Sequence, residues 1–184
     1  MKNVTTIHSD YLNIYVTAGV RSKLAGRILL GITVFIGFVL FCYLVIYLDF
    51  REMGKASIPI ILVPGAFLFF LSKYLLWNFY GQEYLVLNSK TITYYYDYGF
   101  FRTNPTTIHY NRLGLRYSIT DTFEDESFGR LSFINYNTET NLPEGIYETA
   151  VEISENHAAE IERLLEKIMF DEFNEERGFT FLEN

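Results

Sequence analysis

Residues 28–48 read ILLGITVFIGFVLFCYLVIYL, twenty-one residues without a charge. As a helix rising about 1.5 Å per residue the stretch is roughly 31 Å long, close to the ~30 Å of a bilayer's hydrocarbon core. Apolar side chains surround it for nearly six turns, whereas a helix packed on a soluble core keeps one polar face. It is therefore read as a membrane span. Residues 58–76, IPIILVPGAFLFFLSKYLL, give a second span. Lys73 lies near its end, where the long stem lifts the ammonium to the interface. Tyr74, Trp77 and Tyr80 follow as an aromatic belt, so these four residues are the expected membrane-interface anchors. Pro59 suits a first helical turn, and Pro64-Gly65 predicts a kink. Neither span holds Asp, Glu or His, so a proton or ion path has no groups to run on, and no GxxxG dimer motif occurs.

The short link of residues 49–57 makes the spans antiparallel neighbours. Arg21, Lys23 and Arg27 before the first span, with Lys73 and Lys90 after the second, outnumber Arg51 and Lys55 in the link. The positive-inside rule then places both termini in the cytoplasm. The apolar run is too long for a signal peptide and lacks a small-residue cleavage site. Before the spans, Ser9 is a candidate cap for residues 10–23, with Tyr11, Leu12, Tyr15 and Val16 on one side. Two readings of residues 1–27 stand level: an interfacial helix and a flexible cytoplasmic lead.

Past Gly81 the pattern becomes period two. Within residues 91–99, TITYYYDYG, Ile92, Tyr94, Tyr96 and Tyr98 share one face, and Thr91, Thr93, Tyr95 and Asp97 the other. Residues 84–87 form a shorter strand, with Asn88-Ser89-Lys90 as the turn between. Residues 107–110, 113–119 and 128–136 supply three more strands. A sixth places Tyr147, Thr149, Val151 and Ile153 inward, opposite Glu148, Ala150 and Glu152. Consecutive strands with no helix between them predict an antiparallel sandwich or partly open barrel. From Ser154, a cap, the period changes to 3.6. Glu155 fills the first turn, and Ile161, Leu164, Leu165 and Ile168 form an apolar stripe that Phe170 and Phe173 extend. The helix is expected to fray beyond Glu176. The predicted class is thus an α+β membrane protein: a lead (1–27), a two-helix transmembrane hairpin (28–80), a soluble domain (81–176) and a tail (177–184).

Charge and chemistry narrow the function classes. The chain of 184 residues carries −7 overall, but residues 81–184 carry −11. So acidic a domain lacks the clustered Lys/Arg that nucleic-acid phosphates require. The single cysteine, Cys42, excludes a disulfide framework and any multi-cysteine metal site. His8, His109 and His157 stand apart in sequence, and no HExxH, GxSxG, P-loop or GxGxxG motif occurs. The acids at Asp121, Glu124, Asp125 and Glu126 lack the alternating ligands and Gly turn of a calcium loop, so they read as a solvated loop. No catalytic residue, metal ligand or cofactor is expected.

Two spans followed by GQEYLVLNSKTITYYYDYGFFRTNPTTIHYNRL resemble the bacterial pleckstrin-homology-like (PH-like), membrane-flanked domain proteins. Gly81 and Glu83, Tyr94 to Tyr98, and Ile108 with Tyr110 and Leu113 occupy that family's pattern, and the likeness covers residues 28–176. It implies a seven-stranded sheet pair capped by a C-terminal helix on the cytoplasmic face of a bacterial inner membrane. The chain departs from it in showing six strands and in its acidic loop. The expected function is a membrane-anchored, non-catalytic interaction or scaffold module. The bilayer and a protein are its expected partners, and a second copy of the chain is a further candidate. Tyr95, Phe100 and Phe101 are candidate exposed aromatics for such an interface. The alternative is anionic-headgroup sensing by Lys90, Arg102, His109, Arg112, Arg116 and Arg130, opposed by the surplus of acids around them.

Overall fold

The computed structural model describes residues 5–20, 22–47, 54, 57–123, 126–137, 140, 142–170 and the backbone of 171–179. Its elements, in chain order, are β1 (Thr5–Ser9), β2 (Ile14–Gly19), α1 (Leu24–Tyr47), α2 (Ser57–Tyr80), β3 (Gln82–Leu87), β4 (Thr91–Asp97), β5 (Thr106–His109), β6 (Leu113–Phe123), β7 (Glu126–Tyr136), β8 (Pro143–Glu148), β9 (Ile153–Ser154) and α3 (Glu155–Phe179). Two compact units result. One is residues 22–81; the other joins residues 1–21 to residues 82–184.

In the helical unit, α1 and α2 run past the expected bounds at their near ends, and Leu48 lies outside the described residues. Both are long and apolar enough to cross a membrane, and no residue of α1 is buried. The helix α2 continues through Pro64, whose missing N–H interrupts one bond of the ladder. At the base of the pair, the Ser22 hydroxyl donates to the Asn78 carbonyl at 2.8 Å. Arg27 Nε donates to Ser22 Oγ at 2.6 Å, and its guanidinium lies 5.6 Å from the centre of the Phe79 ring. Arg51 and Lys55 of the link lie outside the described residues, as does Arg21.

The N-terminal segment overturns both sequence readings. Residues 5–9 and 14–19 are strands, and they begin a five-stranded antiparallel sheet of order β1-β2-β3-β4-β5. Ser9 caps no helix. Asp10 shapes a turn instead, its Oδ1 accepting N–H bonds from Leu12 at 3.2 Å and Asn13 at 2.7 Å, with Tyr11 at a φ of 72°. Tyr11 and Leu12, which imitate a helical stripe, sit exposed in that turn. Ile14, Val16 and Ala18 alternate into the core. Strand β2 pairs with β3 in register from Ile14–Leu87 to Gly19–Gln82, so the whole helical unit is inserted between two adjacent strands.

Among the described residues nine strands form where six were expected. The second sheet runs β6-β7-β8, with β9 also on β7. The acidic segment 121–126 is largely strand, since Asp121 pairs with Phe128 and Phe123 with Glu126; Glu124 and Asp125 lie outside the described residues. The expected sixth strand keeps its inward face but breaks between Glu148 and Ile153. Leu131 bridges the break, donating its N–H to Thr149 Oγ1 and accepting that of Thr149, each at 3.0 Å. Gly129 stands where β7 meets both β6 and β9, and a Cβ there would lie 2.3 Å from the Ser118 carbonyl.

Helix α3 starts directly after Ser154, whose Oγ lies 2.7 Å from His157 Nδ1, and it continues to Phe179, past the point of expected fraying. Ile161, Leu165 and Ile168 enter one core with Ile14, Leu85, Leu87 and Ile92 of the first sheet and Leu131 and Phe133 of the second. Phe170 is exposed and does not extend the stripe, while the Phe173 side chain lies outside the described residues. The architecture is α+β, two antiparallel sheets with a C-terminal helix. Ile14 has 0% of its surface exposed. Ile14→Ala is therefore expected to cost about 2–5 kcal/mol in unfolding of the detergent-solubilised full chain. A change within ~0.5 kcal/mol, the usual effect at a surface position, would contradict a core role for the N-terminal segment.

Candidate functional site: an uncharged sheet face

Cross-strand partners in an antiparallel sheet point to the same side. The register therefore collects one row of His8, Tyr15, Val86, Thr93 and Thr107, and a second of Thr6, Thr17, Tyr84 and Tyr95. Thr91 and His109 continue this outer face at one end, and Gln82 and Asp97 close it at the other. Across five strands these positions carry one formal charge, that of Asp97. The Arg102 guanidinium pairs with it, its Nε 2.6 Å from Asp97 Oδ2. A bond from the Gly99 N–H, together with this pair, holds the Asp97 carboxyl below the usual carboxylate range.

The face is ordered by its own contacts. The Tyr84 and Tyr95 rings stack at 4.7 Å with 3° between planes. The Thr93 and Thr107 hydroxyls lie 2.9 Å apart, and the Tyr84 hydroxyl donates to Gln82 Oε1 at 2.8 Å. The Tyr15 hydroxyl donates to Asp10 Oδ2 at 3.0 Å, and His8 stacks beside the Tyr15 ring. Depletion of charge with enrichment in tyrosine is the composition of an interface core. Of the expected exposed aromatics, Tyr95 belongs to this face. Phe100 and Phe101 stand past its Asp97 end, in the turn between β4 and β5. Sequence reading missed Tyr15 and Tyr84. Tyr15 lies on β2, which the sequence reads as lead or helix, and Tyr84 lies on a strand the sequence does show but joins the face only through its register with β2 and β4.

The basic candidates do not gather into one site. Arg102 is committed to Asp97, and the Arg112 guanidinium lies 5.6 Å from the centre of the Tyr136 ring. Lys90 and His109 are exposed near the Thr91 end of the first sheet. Arg116 and Arg130 do share a face of the second sheet, paired with Ser132 and Ser118, but Glu148 is opposite Ser132 on that face. Neither of these arginines makes an ion pair among the described residues. No group of three metal-ligating side chains occurs among the described residues. Lys73, Tyr74, Trp77 and Tyr80 occupy the last two turns of α2, with Tyr74 and Tyr80 exposed.

Beneath the uncharged face lies the carboxylate of Glu83. Glu83 has 2% of its surface exposed. It accepts N–H bonds from Ala150 at 3.1 Å and Val151 at 2.8 Å, the two amides freed where the second sheet breaks. The Tyr147 hydroxyl also donates to Glu83, and the Tyr96 hydroxyl lies 3.3 Å from that of Tyr147. Burial raises the Glu83 pKa above its ordinary 4.5 against the opposing pull of these bonds and of the Arg130 charge. Burial and the Glu83 charge raise Tyr147 far above the usual phenol range.

A group whose folded pKa is raised stabilises the fold fully below its unfolded value, and the contribution fades as pH climbs through the folded value. The wild type is thus expected to lose stability relative to Glu83→Gln as pH rises from about 4.5, the ordinary glutamate value. Thermal unfolding of both proteins across that range checks it, and a wild type that gains stability relative to Glu83→Gln as pH rises would contradict it. Comparison of the chain with family models, with curated proteins and with solved structures finds no match.

Proposed function

We propose that this chain is a membrane-anchored, non-catalytic interaction module whose uncharged Tyr/Thr sheet face receives a protein partner. The carrying observation is the breadth of that face: five strands wide, with its one charge neutralised, in a domain that is otherwise strongly acidic. A face left to water alone has no need to exclude Lys and Glu, whereas the buried centre of an interface does. Tyrosines already stacked and hydrogen-bonded lose little freedom on binding, which suits them as anchors.

The anchor in this reading is the α1–α2 pair. Phe35, Phe38, Leu40, Phe67, Phe69 and Phe70 are exposed on it, a surface that hydrocarbon accommodates and water does not. Two antiparallel sheets joined by a terminal helix support a PH-like domain in outline, with five and four strands in place of seven in all. The cytoplasmic inner-membrane location rests on the flanking Lys and Arg and on that likeness. Headgroup sensing is the weaker reading, because its candidate cations are dispersed.

The test is photo-cross-linking of the full-length protein in its native membrane. A photoreactive residue at Tyr84 or Tyr95 is expected to capture one discrete protein, while the same residue at Glu148 on the other sheet does not. A Tyr84→Arg change, which puts a charge into the face, is expected to lower capture from Tyr95 about tenfold. No discrete adduct, or equal adducts from all three positions, contradicts the proposal.

A further inference from the structure

The turn between β4 and β5 displays its aromatics in a fixed arrangement. Phe100 is 77% exposed and Phe101 42%. The Phe101 ring stacks on Tyr98 at 4.6 Å. The Tyr98 N–H donates to the Phe101 carbonyl at 2.9 Å, and the Thr103 N–H to that of Tyr96 at 2.9 Å. Asp97 accepts the Gly99 N–H at 2.7 Å and the Arg102 Nε at 2.6 Å. Gly99 has a φ of 86°, a conformation that a side chain at this position would strain. The turn thus presents most of Phe100 and part of Phe101 at the surface on a fixed backbone. Its one acid and one base cancel, within a region that carries −11.

Register fixes which end of the sheet this turn occupies. Asp97 is the direct partner of Gln82, the first residue of β3. Gln82 is two residues past Tyr80, where α2 ends, a tether of at most about 7 Å. Neighbouring strands lie roughly 4.8 Å apart. The aromatic turn therefore begins beside the point where the chain passes into the apolar helix. The opposite end of the same sheet, at the β1–β2 turn, is about six residues of strand, or ~20 Å, away.

From this placement we infer that the Tyr98–Phe101 turn is a second membrane contact of the domain, seating Phe100 and Phe101 in the headgroup boundary of the bilayer that α1 and α2 cross. Aromatic rings favour that depth, where an apolar body and a wet edge are both satisfied. The cancelled charge of the turn spares it the repulsion that an anionic leaflet exerts on the rest of the domain. The contact leaves the Tyr/Thr face for the partner, because the turn lies past the Asp97 end of that face.

The inference rests on the reading of α1 and α2 as spans, and the experiment separates the two. In a Cys42→Ala background, the full chain is reconstituted in vesicles containing headgroup-proximal and mid-chain spin-labelled lipids. Single cysteines at Phe38, Phe100 and Leu12 each carry an environment-sensitive fluorophore. Leu12 is an exposed apolar residue in the β1–β2 turn and serves as the matched control. The Phe38 label is expected to lose fluorescence to mid-chain quenchers and the Phe100 label to headgroup-proximal ones, with the Leu12 label unaffected. Quenching at Phe38 without quenching at Phe100, or equal quenching at Phe100 and Leu12, overturns the membrane contact and leaves the spans standing. No quenching at Phe38 overturns both.

Discussion

The structure depends on one pairing, the antiparallel ladder of β2 on β3. These strands are neighbours in the sheet yet are separated in sequence by the whole helical unit. Closing so long a loop costs conformational entropy, which grows with the logarithm of its length. The α1–α2 pair lowers that cost by bringing the ends of the insertion together itself, as the Ser22–Asn78 hydrogen bond shows. Ile14, Val16, Leu85 and Leu87 then meet in one core, so burial holds what the pairing aligns.

Much of this was legible in the sequence, for physical reasons. A charge-free run of twenty-one residues is a helix long enough to cross a bilayer whatever its neighbours do. The stripe from Ile161 to Ile168 reports its burial directly, and the alternation of residues 91–97 separates the core-facing Ile92 and Tyr94 from Tyr95 on the outer face, because each repeats with the period of its element. The N-terminal strands were hidden by two effects. Tyr11 and Leu12 are apolar residues in an exposed turn, and with Tyr15 and Val16 they counterfeit a helical spacing. The strands' partners also lie beyond the insertion, where no local pattern points.

The uncharged face was out of reach for the same reason. Tyr95 was visible as an outward residue, but its stacking on Tyr84 and their common row with Thr6 and Thr17 exist only through register. The basic candidates err in the opposite direction. Nearness in sequence suggested a cluster, and the passage from one sheet to the other between Tyr110 and Leu113 separates them. Glu83 shows how the two sheets are coupled beneath that face. Where β8 gives way to β9 two amides lose their ladder partners, and a carboxylate from the other sheet satisfies both. The residue next in sequence is Tyr84, so the buried network and the proposed docking face are carried by one strand.

The pairing across the insertion is open to a direct measurement. Thr17 and Tyr84 are register partners on the outer face, and facing residues of an antiparallel pair have Cα atoms about 4.5–5.5 Å apart, within disulfide range. Cysteines at these two positions, in a chain lacking Cys42, are expected to form an intramolecular disulfide on mild oxidation. Mass spectrometry would find both thiols protected from alkylation in the monomer, while a Thr17/Thr107 cysteine pair, on the same face but far across the sheet, keeps both thiols free. Free thiols in the Thr17/Tyr84 protein, or equal cross-linking in both, would contradict the pairing of β2 with β3 across the inserted helices.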